Sequence, residues 1–260
     1  MAYEPPHWWI NERPRFTALT LGAYMAADDG PRETMRRDMR FERVARTIRY
    51  GNVRRAIWRY LASPTRSLAI LAECEAMLEH EIREARSRER RENLSHELRA
   101  LRDFQAGLNS LNLGGLQMWR HGHVFRPLDM EGVTVSVQPE VLVRQVRPRG
   151  RDQIGPIIVD VSKGQSCTTD EARRKVEKAM THSAVLLHTL MANGPSSDDE
   201  VASSDHCIVF HAHRAQAVSA PENYKTMMKN MFAVCRDIRR AWSAIEAPAG
   251  FDPERATIRR

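Results

Sequence analysis

Two acids and a lysine stand close together in the stretch 133–163, VTVSVQPEVLVRQVRPRGRDQIGPIIVDVSK: Glu140 after Pro139, then Asp160 and Lys163 in the run Asp160-Val161-Ser162-Lys163. Carboxylates that meet can hold a divalent cation, and a neighbouring lysine can steer water, so the set has the makings of a metal-dependent centre acting on phosphodiesters. The same residues also suit an ordinary hairpin, with Glu140 and Asp160 on its edge and Lys163 starting a turn with Gly164. A second set invites a zinc reading. On one extended strand Cys207, His211 and His213 would share a face, and His121 and His123 form another His-x-His pair. The tight spacings of established zinc motifs are missing, so ordinary packed or exposed histidines are the expectation.

These residues need elements to position them. The segment 17–27 has apolar residues at helical spacing and ends at Asp28-Asp29-Gly30-Pro31. A second helix is expected over 32–50, with Met35, Met39, Phe41, Val44, Ala45 and Ile48 on its apolar side. A short helix over 52–62 closes at Ser63-Pro64, and 67–105 reads as one long helix or a helical hairpin. After Gly114-Gly115 the period changes to two. Val133, Val135 and Val137 alternate with Thr134, Ser136 and Gln138; Pro139 interrupts, 141–143 continues the extended run, and 157–161 is apolar enough for a central strand. A helix over 169–191 is capped by Thr168 or Thr169, a strand spans 206–218, and a last helix runs from Pro221 to Ile245. The expected class is α+β: a helical N-terminal region followed by a small mixed β-sheet flanked by helices. The corresponding division is 1–113, an Arg-rich helical region with an N-terminal arm; 114–246, an α/β core; and 247–260, a flexible tail.

The order long helix, strand meander, central strand, helix, strand, with Pro139-Glu140 and Asp160-Val161-Ser162-Lys163 at those places, resembles the PD-(D/E)XK nuclease superfamily over roughly residues 95–246. The resemblance implies a restriction-endonuclease-like core in which Glu140 and Asp160 bind Mg²⁺ and Lys163 positions or activates the attacking water. One departure stands out. That family sets the lysine two residues after the second acid; here Ser162 holds that position, and in a regular strand Lys163 faces away from Asp160. A bulge, or a strand ending near Val161, would restore the geometry.

The charge pattern supplies a partner. The chain of 260 residues carries a formal charge of +7 and a pI near 9.6, favouring an acidic partner, most simply nucleic acid. Arginine outnumbers lysine along the whole chain, so a local cluster carries more weight than the total. Residues 32–66 hold eleven arginines against Glu33, Asp38 and Glu42, interleaved with Phe41, Tyr50, Trp58 and Tyr60. Arg36, Arg40, Arg43, Arg46, Arg49, Arg54 and Arg55 are the candidate phosphate contacts. A solvated face, or pairing with the Glu-rich stretch near 73–92, would use the same residues differently. Trp8 and Trp9 read as an arm that docks on its own domain or on a protein partner.

Other classes are disfavoured. No Gly-rich phosphate loop ends in Gly-Lys-Ser, and no Gly-x-Ser-x-Gly elbow is present. The apolar stretch 179–191 is broken by Thr181, His182, Ser183 and His188, well short of the roughly 20 apolar residues of a membrane span. The N-terminus lacks the basic and apolar regions of a secretory signal, so the expected location is the cytoplasm. Cys74, Cys167, Cys207 and Cys235 are far apart and are expected to be reduced. A non-catalytic DNA-binding or adaptor subunit stands as the alternative to a nuclease.

Overall fold

The computed structural model describes residues 7–44, 50–120, 125–162, 169–194 and 198–259. Short strands β1 (Trp8–Asn11) and β2 (Arg15–Thr17) lead into α1 (Ala18–Ala26), which begins where the Thr17 hydroxyl accepts from the Thr20 N–H at 3.1 Å. Next come α2 (Asp29–Arg40), β3 (Phe41–Arg43) and three helices, α3 (Gly51–Ala62), α4 (Ala69–Glu84) and α5 (Arg88–Gly107). The strands β4 (Gln117–Trp119), β5 (Leu128–Met130), β6 (Val133–Ser136), β7 (Val141–Gln145) and β8 (Asp152–Asp160) follow. The chain then runs through α6 (Asp170–Asn193), β9 (Glu200–Ala202), β10 (Ile208–His211), β11 (Gln216–Ser219), α7 (Tyr224–Ala241) and β12 (Ala256–Arg259). The class is α+β, as the residue pattern indicates.

β8 organises the molecule. It pairs antiparallel with β7 on one side; on the other it pairs in parallel with β9 along its first residues and with β10 along its last. The main sheet runs β11-β10-β8-β7-β4, with β9 beside β8. Because side chains alternate, Ile157, Val159 and Val161 enter one core with α3, α4 and α5, while Ile158 enters the other with α1, α6 and α7. α6 is the crossover between the parallel strands β8 and β10, and Thr169 caps it by accepting from the Ala172 N–H at 3.2 Å. α1 lies hard against α6. A Cβ on Gly22 would sit 2.2 Å from Ser183 Oγ and 2.4 Å from the Ala179 carbonyl oxygen.

Several expectations need correction. The second helix stops at Arg40 instead of running to 50, because Phe41 turns inward to pack edge-to-face with Phe251, ring centroids 4.9 Å apart, and 41–43 pairs with β1. The alternating run 133–136 leaves the main sheet: β6 lies between β2 and β5 in a sheet of its own, and Pro139 marks the break before β7. The strand expected over 206–218 is a hairpin, β10 and β11, joined by a 3₁₀ turn at Ala212–Arg214 and Ala215 at φ 50°. The segment 247–260, expected as a flexible tail, supplies β12, which pairs in parallel with β1. The boundary at 113/114 does not separate two cores. Phe16 packs with Val133 and Val209, and Phe104 packs with Val143 and Phe210.

Among the described residues, no helix is long and apolar enough to cross a membrane.

Candidate functional site

The ends of β8 and β10 and the start of β7 bring the candidate residues together. Asp160 is the last residue of β8 and pairs in register with His211, the last of β10, so the two share a face at the carboxyl ends of parallel strands. Beyond Asp160 the ladder stops. The Ser162 N–H and hydroxyl both donate to Asp160 Oδ1, at 2.9 and 2.5 Å, forming a turn on the aspartate side chain. The strand therefore ends before the period of two could assign Lys163 a face; Lys163 itself lies outside the described residues.

Glu140 stands just before β7. Val159 lies beyond the last residue of β8 that β7 pairs with, and its N–H donates to Glu140 Oε2 at 2.8 Å, so a carboxylate takes over where the backbone ladder has ended. The other oxygen, Oε1, accepts from Arg54 Nη1 at 2.7 Å. Burial dominates the electrostatics here. It pushes the Glu140 carboxyl from 4.5 up to about 7; Arg54 and the Val159 N–H pull the other way, and the Asp160 charge adds to the rise. His211 is buried, which holds its pKa below the ordinary value despite the raising effect of Asp160, and its Nδ1 has no hydrogen-bond partner among the described residues.

Arg54 is placed by α3, and α3 in turn by Glu97. The helix starts at Tyr50 in the left-handed conformation without a side-chain cap of its own. The N–H groups of Val53, Asn52 and Tyr50 point at the buried Glu97 carboxyl of α5, which compensates in part for a pKa that burial raises. On the other flank His213 bridges α5 and β8: its Nδ1 bonds Asp103 Oδ2, and its Nε2 lies 3.2 Å from the Val161 carbonyl oxygen.

The donor set bears directly on Mg²⁺. Glu140 Oε1, Glu140 Oε2 and Asp160 Oδ1 already accept hydrogen bonds, and a guanidinium neutralises Glu140. Among the described residues no three His, Cys, Asp or Glu side chains converge as a metal site. In this arrangement the acids do not fit a divalent cation, because Arg54 supplies the positive charge. The zinc alignment fails too. Cys207 is packed in the core with α6, its thiol raised far above the ordinary value by burial, and His213 sits in the turn rather than in the strand. His121 and His123 lie outside the described residues.

The candidate arginines do not form one stripe. α2 packs through Met35 and Met39 on the α6 side of the sheet, whereas α3 belongs to the opposite core. Arg36 lines a cavity between α2 and the end of α7; Arg40 donates to the Trp242 carbonyl and lies over Phe41; Arg43 lies over Trp8, 5.1 Å from the ring centroid. Arg46 and Arg49 are outside the described residues. Only Arg54 and Arg55 of the set stand on α3, beside Trp58, over which Arg120 stacks at 4.2 Å. Trp8 is buried in its own domain, and Trp9 is half-buried under Arg259 at 4.0 Å, which is the intramolecular alternative for the arm.

Residue spacing alone could not find the Arg54–Glu140, Glu97–α3 or Asp103–His213 pairings, since each joins elements far apart in the chain and no local pattern marks them. Neither a protein-family model nor a curated protein matches this sequence.

Proposed function

We propose that this is a nucleic-acid-associated protein built on a nuclease-like core, with the sugar–phosphate backbone passing over the sheet end that carries Glu140 and Asp160. The reading is supported by connectivity and placement together. A long helix, an antiparallel pair β7–β8, the crossover α6 and the parallel strand β10 follow in the order that resembles the PD-(D/E)XK superfamily, and both acids fall at adjoining strand ends. The cations Arg54, Arg55 and Arg120 border that same end, which suits phosphate contact without base readout.

As described, the site holds nucleic acid without cutting it, since Arg54 stands against Glu140. Mg²⁺-dependent hydrolysis is the second reading, favoured by the place of the two acids at adjoining strand ends, where the Asp160 charge acts on Glu140. One experiment tests both. A fluorescent DNA oligonucleotide is titrated against salt, and plasmid cleavage is followed with Mg²⁺, for the wild type and Asp160→Ala. Binding that weakens steeply with salt and survives Asp160→Ala supports the binder. Cleavage that needs Mg²⁺ and disappears in Asp160→Ala supports the enzyme. No binding at low salt refutes the nucleic-acid reading.

A further inference from the structure

We infer that Arg54 is a latch on this site: it holds Glu140 in the ligand-free chain and surrenders it to a phosphodiester, so that nucleic-acid docking and the release of Glu140 are one exchange. The inference rests on the nucleic-acid reading above and adds the route by which the closed site opens.

The two halves of the pair differ in access. The Glu140 side chain is 6% exposed and that of Arg54 is 43% exposed, so an anion arriving from solvent meets the guanidinium and not the carboxylate. The contact runs through Nη1, and a guanidinium carries more N–H donors than that one bond uses, so a phosphate can engage the fork before the carboxylate lets go. Arg55 beside it is exposed, and Arg120 over Trp58 stands one turn further along α3. Both add to the pull on an incoming phosphate.

Glu140 does not lose its aim when Arg54 leaves. The Val159 N–H still holds Oε2, which makes Oε1 the released atom. The exchange needs no metal: the phosphodiester takes the guanidinium, and the buried carboxyl left behind takes up a proton.

A double-mutant cycle on DNA binding by the full chain tests the exchange without metal, in EDTA. Glu140→Gln frees Arg54 from its carboxylate and is expected to tighten DNA binding by about threefold to tenfold. Arg54→Ala is expected to weaken binding and lower the salt slope by about one. In the double variant the gain from Glu140→Gln should vanish. Asp160→Asn removes the same charge from the same site but should keep its own gain in the Arg54→Ala background, which separates the latch from general repulsion. Circular dichroism and urea melts confirm that each variant is folded, and Arg54→Gln, which removes the charge but keeps a polar side chain, serves in place of Arg54→Ala if the latter does not fold. A Glu140→Gln gain that persists without Arg54, or no gain while the wild type binds DNA, overturns the latch and leaves the nucleic-acid reading standing. A wild type that binds no DNA refutes that reading, and the latch with it.

Discussion

Replacing Glu140 by Gln should remove a specific part of the pH dependence of stability. The folded chain holds this carboxyl at about 7, against 4.5 ordinarily, because burial disfavours the charged form. An acid whose pKa is raised on folding binds its proton more tightly in the native state. Its contribution is therefore most favourable below 4.5, falls as pH rises toward 7 and stays low above. The gap from 4.5 to about 7, at about 1.4 kcal/mol per pH unit, is worth about 3 kcal/mol in full. At pH 5.5 the unfolded carboxyl has already ionised in large part, so about 2 kcal/mol of it falls between pH 5.5 and pH 8.5. His182, His188, His206 and His211, whose pKa values burial lowers, act in the opposite sense, losing stability on acidification. They are common to both proteins and cancel in the difference. Urea denaturation of wild type and Glu140→Gln at both pH values should show the wild type losing about 2 kcal/mol relative to the variant as pH rises. A difference that stays flat within about 0.5 kcal/mol would mean that Glu140 is not buried as described, and the account of its pairing with Arg54 would fall with it.

Glu97→Ala, which leaves the first N–H groups of α3 without their acceptor, should cost about 1–2 kcal/mol in a urea melt and weaken any binding that depends on Arg54. Gly22→Ala should cost about 1–3 kcal/mol by the same assay, because the new Cβ would meet the Ala179 backbone oxygen at 2.4 Å; a neutral result would show that α1 and α6 are not so closely packed. Removing residues 256–260 exposes one edge of β1 and takes Arg259 from Trp9, so tryptophan emission should shift to the red and the melting temperature fall by about 3 °C or more. His213→Ala cuts the tie between α5 and the end of β8, and amide exchange at Val161 and Ser162 should accelerate by about tenfold while the centre of β8 stays protected.

What could be read from the residues follows from the range of the forces involved. Helix caps and apolar periodicity are local, so α1, α3, α6 and α7 fall close to their expected spans, and the alternation at 133–136 does mark a strand. Which sheet a strand joins is set by partners far off in sequence: Phe16 and Val135 meet across β2 and β6, and Trp8 meets Ala256 across the two ends of the chain. The arginine stripe failed for the same reason. Its spacing suits a pair of basic helices over 32–50 and 52–62, but the first ends at Arg40, where Phe41 packs on Phe251, and the pair splits between the two sides of the sheet. At the site, the acids and their strand positions were legible. Their partners Arg54, His211 and Ser162 are each legible as residues, but no spacing pairs them with the acids.

Counting faces along a strand is valid only while the ladder lasts, and that limit decides what governs this site. Between Asp160 and Lys163 the count suggested that the lysine's phase was the critical question. β8 ends at Asp160, and Ser162 folds back onto the aspartate, so backbone alternation assigns nothing beyond that point. The deciding contact lies on the other acid. Glu140 is held from one side by a backbone N–H that cannot move away and from the other by a half-exposed guanidinium that can. A charged pair of that kind opens from its exposed member: an anion in solvent can reach the guanidinium, and the buried acid left behind, with no alternative partner in water, is driven to take up a proton. On the proposed reading, what this sheet end does with a phosphodiester therefore turns on Arg54 before it turns on any lysine.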